Sequence, residues 1–135
     1  MNWYQKILQY ITNISPIVLL TISLTRLWSI SLYYIFGKDS LIIDRIINDP
    51  WHHYQVGVVL MVIALIFGRF KKFKTLLAIG LGIFLEEWPV FLNDLGLNTN
   101  HLYLTKVDFI SIFAIVGLTY ILSKTFYSKV SLKIV

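Results

Sequence analysis

Apolar residues come in long runs broken by brief polar punctuation, and the punctuation marks helix ends. A membrane-crossing helix needs about 20 mostly apolar residues. Four stretches meet that length, at positions 16–36, 50–69, 75–95 and 106–123. The first opens at Ser15-Pro16, a serine cap before a proline at the first helical position. Asp49-Pro50 repeats the device for the second. The third starts at Thr75 and runs through Leu85 into Glu86-Glu87-Trp88-Pro89. The fourth opens on Thr105-Lys106-Val107-Asp108, a capping-box pattern that makes Asp108 a helix cap. Upstream, Trp3, Ile7, Leu8 and Tyr10 or Ile11 recur at helical spacing and predict a short interfacial helix over 2–12. Ser29-Ile30-Ser31 has the small residues of a signal-peptide cleavage site, but the apolar run continues past it. The first span is therefore expected to stay as an anchor.

Composition supports a bilayer as the solvent. Of 135 residues, 57% are hydrophobic and 14% charged, against about 45–50% and 25% in soluble domains. A soluble fold this small has too much surface for its volume to hide that much apolar side chain. The fold class expected is an all-α integral membrane protein: one membrane domain, four transmembrane helices in a small bundle. A soluble enzyme is excluded, and so is a nucleic-acid partner, despite a net charge of +5. The chain has no cysteine, which removes disulfides, thiolate metal sites and iron–sulfur clusters.

Charge then orients the bundle. Arg69, Lys71, Lys72 and Lys74 crowd the turn between the second and third spans, so that turn is expected in the cytoplasm. Both termini follow it, with Lys6, Lys124, Lys129 and Lys133, leaving Lys38, Arg45 and Lys106 outside. The plasma membrane of a prokaryote is the expected location. All seven acidic residues fall in the outer half: Asp39, Asp44, Asp49, Glu86, Glu87, Asp94 and Asp108. His52, His53 and His101 join them. The positive-inside rule does not account for this, because acids contribute little to topology. Trp51, Tyr54, Trp88 and Tyr103 read as an outer aromatic belt.

An ionisable group inside a span costs about 2.5–3.5 kcal/mol on insertion scales, so each needs a partner or a purpose. Arg26 and Glu86 lie at similar depth, ten and eleven residues into their spans. The sequence predicts a buried pair of Arg26 with Glu86 or Glu87, since a guanidinium grips a carboxylate through two hydrogen bonds. Small residues mark close helix contacts. His53 shares a face with Gly57, Met61, Ala64 and Gly68, and Glu86 shares one with Ala78 and Gly82. His53 and Glu86 are thus the expected inward pair, with His52 and Glu87 as second choices. Regular helices would leave Glu86 about two turns deeper than His53. Pro89 can close that gap, because it removes a donor and clashes with the Leu85 carbonyl, kinking or breaking the third helix.

Two readings of this outer cluster compete with a purely structural one. The first is a self-contained metal site of a membrane enzyme or metal transporter: imidazole and carboxylate without thiolate suit zinc, copper, iron or manganese, with His53, Glu86, His52, Glu87, Asp94 and His101 as candidate ligands. No compact ligand motif such as H-E-x-x-H is present. A proton or cation pathway through Glu86 or Glu87 is the second, and it calls for a homo-oligomer because four helices barely enclose a path. The structural alternative has Arg26 satisfying Glu86 while His53 bonds a loop carbonyl. Little chain lies outside the spans to bind a soluble substrate. The expected role is a non-catalytic accessory subunit of a larger membrane complex, energy-converting or oxidising, with other membrane subunits or copies of itself as partners.

Overall fold

The computed structural model describes residues 3–37, 40–47, 51–68, 71–103 and 105–132. Every regular element among them is helical. Four longer helices dominate: α1 (Trp3–Phe36), α3 (His53–Ile66), α4 (Lys71–Glu86) and α6 (Lys106–Leu132). Two short ones, α2 (Leu41–Ile47) and α5 (Trp88–Asp94), and a 3-10 turn at Asn100–Leu102 fill the connections. Two helices, α1 and α6, are each long and apolar enough to cross a membrane, and the bent pair α4–α5 makes a third candidate.

The separate interfacial helix expected over 2–12 is instead the first part of α1, which runs unbroken through Pro16. Proline is tolerated inside membrane helices, and here it frees the Thr12 carbonyl. Just upstream, the Ser15 hydroxyl donates to the Ile11 carbonyl at 2.7 Å, and the Thr12 hydroxyl to that of Leu8 at 2.8 Å. Gly37, at a φ of 78°, closes the helix through its N–H on the Tyr33 carbonyl. Other boundaries move too: α4 starts at Lys71 rather than Thr75, and α6 continues past 123 to Leu132. The second helix starts at His53, three residues beyond Pro50. The expected Asp49-Pro50 cap lies outside the described residues, as do Lys38, Asp39, Arg69 and Lys133.

In the packing, α4 lies between α3 and α1, and α6 runs along α1. Glycines set both α4 contacts. A Cβ on Gly57 would stand 2.6 Å from the Gly80 carbonyl and 2.7 Å from the Phe84 nitrogen, so α3 and α4 meet backbone to backbone. A Cβ on Gly82 would meet the Thr21 Cβ at 2.6 Å, which sets α4 equally close to α1. Such small-residue approaches replace the hydrophobic effect as the driving force where lipid is the solvent. Val18, Ile22, Ala78, Ile112 and Val116 form the apolar core shared by α1, α4 and α6.

The ends of the bundle differ in chemistry. At one, Thr12 bonds Ser123 at 3.0 Å and the Lys74 ammonium sits 5.5 Å above the Tyr10 ring. At the other, α4 stops at Glu86 and α5 leaves at 69°. Pro89 occupies the first turn of α5, where a missing N–H is harmless. The break expected near Glu86 is therefore present, with Glu87 as its joint.

Candidate functional site: a buried charge cluster at the helix break

Arg26 is the fixed point of the site. It lies on the buried stripe of α1 between Ile22 and Ser29 and is only 1% exposed. Its Nε stands 3.1 Å from Glu86 Oε1, confirming the predicted pair. Its Nη1 stands 2.8 Å from Asp108 Oδ2, and its Nη2 donates to the Glu86 backbone carbonyl at 2.9 Å. That last bond follows from the break. The carbonyls of a final helical turn have no intrahelical donor, and a cation there also complements the helix dipole. One side chain thus joins α1 to α6 and to the end of α4. The Tyr103 and Phe109 rings flank the guanidinium at 5.1 and 5.5 Å.

Three residues of this cluster had other expected roles. Asp108 was expected as a helix cap; the cap is Thr105, whose hydroxyl accepts from the Asp108 N–H at 3.3 Å, while the fully buried carboxylate reaches Arg26. Tyr103 belongs to the site rather than to the aromatic belt, donating its hydroxyl to Glu86 Oε1 at 3.3 Å. Burial, and after it the Glu86 carboxylate, pushes the Tyr103 phenol above its ordinary range, so it remains a donor. Tyr54 adds its backbone N–H to the cluster, while its half-buried ring carries the hydroxyl out to the exposed Asp94. Trp51, 73% exposed, fits the belt.

The two adjacent glutamates are both buried, and they serve different neighbours. On a regular helix they would point about 100° apart; the break at Glu87 gives each its own surroundings. Glu87 does not pair with Arg26. Its Oε1 stands 3.3 Å from His53 Nδ1, and its Oε2 accepts the Tyr54 N–H at 2.9 Å. His53 therefore meets a carboxylate rather than the loop carbonyl of the structural alternative. Its own position corrects the expectation of an inward-facing histidine, because its side chain is 50% exposed at the start of α3. Gly57 and Ala64 of the same face are buried as expected.

The break also removes the difference in depth. One ligand atom from each of His53, Glu86 and Glu87 lies within 4.8 Å of the other two. The remaining sequence candidates stand apart from that group. Asp94 is exposed and accepts the Tyr54 hydroxyl at 2.6 Å. His52 stacks on the Tyr54 ring at 5.9 Å, and His101 is exposed in the 3-10 turn. No protein-family model, curated protein or solved structure matches this chain. Function has to be argued from the cluster and the surfaces around it.

Proposed function

We propose that the chain is a four-span membrane bundle that works as a non-catalytic subunit of a larger membrane assembly. The spans would be α1, α3, the bent α4–α5 unit and α6, with both termini in the cytoplasm of a prokaryote. Charge distribution supports that placement. Lys6, Lys74 and Lys124 gather at the end marked by the Thr12–Ser123 bond, whereas Glu86, Glu87, Asp94 and Asp108 lie towards the other.

One observation carries the subunit reading: α3 is short, and its outer face is bare. Fourteen residues span about 21 Å, well below the roughly 30 Å of hydrocarbon. Of these residues only Gly57 and Ala64 are buried, while Val58, Val59, Val62, Leu65 and Ile66 face outward. Lipid accepts such side chains, but a helix this short makes the bilayer thin locally, and association with other helices relieves that cost. Meanwhile the Arg26 guanidinium is engaged in holding α1, α4 and α6 together. The apolar exterior of α3 remains as the surface for partners.

Native mass is the test. Extracted with its surrounding lipid, the protein should run as a particle containing more protein than one 15.7 kDa chain. Cross-links from a cysteine at Val62 should reach another helix outside this chain. A single chain per particle, with no cross-link from Val62, would refute the subunit reading.

A further inference from the structure

The structural role of Arg26 leaves part of the cluster unused. Each glutamate has one oxygen tethered. Glu86 Oε1 faces Arg26 and accepts from Tyr103, and Glu87 Oε2 accepts from Tyr54 N–H. The other oxygens are differently placed. Glu87 Oε1 faces His53, and Glu86 Oε2 is buried with no hydrogen-bond partner among the described residues. A fully buried carboxylate oxygen without a donor is costly, and such atoms call for an explanation.

Charge points the same way. Two buried carboxylates, Glu86 and Asp108, share the Arg26 guanidinium, and a third, Glu87, is buried beside His53 instead. Glu87 has no guanidinium at its carboxylate, and a divalent cation beside a neutral His53 supplies there the positive charge that Arg26 gives to Glu86. Separations fit as well. Two ligands at about 2.0–2.1 Å from a tetrahedral ion stand about 3.3 Å apart, which is the His53 Nδ1–Glu87 Oε1 distance. Any remaining gap to Glu86 is bounded by 4.8 Å, within reach of side-chain rotation.

We propose that His53, Glu86 and Glu87 form a binding site for one divalent first-row transition ion at the break between α4 and α5. The Tyr103 hydroxyl and the Tyr54 N–H hold the two carboxylates from behind, as outer-shell donors do in metal sites. Imidazole and carboxylate ligands select zinc, manganese or iron over thiolate-seeking ions. His53 is half exposed, which leaves the site an opening through which an ion can enter and a position that water can fill. Three protein ligands with an open fourth place are the arrangement of sites that exchange or activate a ligand.

The experiment uses the full chain, purified with a histidine-free tag, stripped with chelator and titrated with zinc and, separately, with manganese. Wild type should bind one equivalent, and its melting temperature should rise with ion concentration, since an ion that binds only the folded state stabilises it by mass action. His53→Ala and Glu87→Gln should bind at least about tenfold more weakly, with His101→Ala unchanged. His53→Ala also removes a partner of the buried Glu87, so an unchanged helical circular-dichroism signal and a single sharp elution peak of the ion-free variant, rather than its melting temperature, separate loss of a ligand from loss of fold. Three results would overturn the site: no binding by wild type at excess ion, equal binding by His53→Ala, or equal loss in His101→Ala.

Discussion

Removing Arg26 tests the centre of the structure most directly. Arg26→Ala deletes contacts at 3.1 Å to Glu86, 2.8 Å to Asp108 and 2.9 Å to the Glu86 carbonyl, and all three groups stay buried. Breaking a buried ion pair by removing one partner costs about 3–5 kcal/mol. The stranded carboxylates have an escape by taking up protons. Holding a carboxyl with an ordinary pKa near 4 protonated at pH 7 costs about 4 kcal/mol, so this route gives no discount. The expected loss is about 3–5 kcal/mol, measured by reversible unfolding in mixed detergent micelles with tryptophan fluorescence. Coupling is the sharper readout. Glu86→Gln removes one charge that Arg26 neutralises, so the double variant should recover about 1–3 kcal/mol of the summed single losses. Asp108→Asn should couple to Arg26→Ala in the same sense. Additivity of both pairs within about 0.5 kcal/mol would show that these groups do not act on each other, and the three-helix knot would fall with it.

Two further outcomes are expected. Gly57→Ala places a methyl 2.6 Å from the Gly80 carbonyl, so it should lower the melting temperature by several degrees, whereas Gly117→Ala, with nothing within 4 Å, should leave it level or raise it slightly; equal effects would refute the close α3–α4 approach. For orientation, a cysteine at Asn98 should react with an impermeant reagent from outside intact cells and one at Lys72 should not, and the reverse pattern would invert the proposed topology.

Much of the bundle was legible because its signals are local. Four apolar stretches, the Pro89 break and the glycine contacts can all be read from neighbouring positions. The missing boundaries also have local causes, which compete with one another. Ser15-Pro16 carries the mark of a helix start, yet the Ser15 hydroxyl turns back to the Ile11 carbonyl instead of capping forward, and α1 continues. Depth in the membrane predicted the Arg26–Glu86 pair, because both residues sit about equally far along their spans. Asp108 was hidden by its own plausibility as a cap: the sequence shows that Thr105 and Asp108 have capping spacing, but not which of them turns to the backbone and which to Arg26. Glu87 was only a second choice for the interior for a different reason: face assignments assume a continuous helix, and the bend of 69° at Glu87 ends that continuity between the two glutamates. His53 misses the interior because it is the first residue of α3, where the helix end leaves it half exposed.

The distance in sequence between Arg26 and its partners bears on how the chain is made. Sixty residues separate Arg26 from Glu86, and Asp108 is later still. As α1 leaves the insertion machinery, its guanidinium has no counter-ion, so α1 must enter the bilayer on its own surplus of Leu, Ile and Val, each contributing about 0.3–0.6 kcal/mol against the 2.5–3.5 kcal/mol of a central arginine. α4 is differently placed. It carries two glutamates at its break and has a resident cation to dock against from the moment it emerges. Assembly is therefore ordered, with α1 first and waiting. An Arg26 variant should insert α4 less efficiently, lowering the yield of bundle in addition to weakening the bundle that forms.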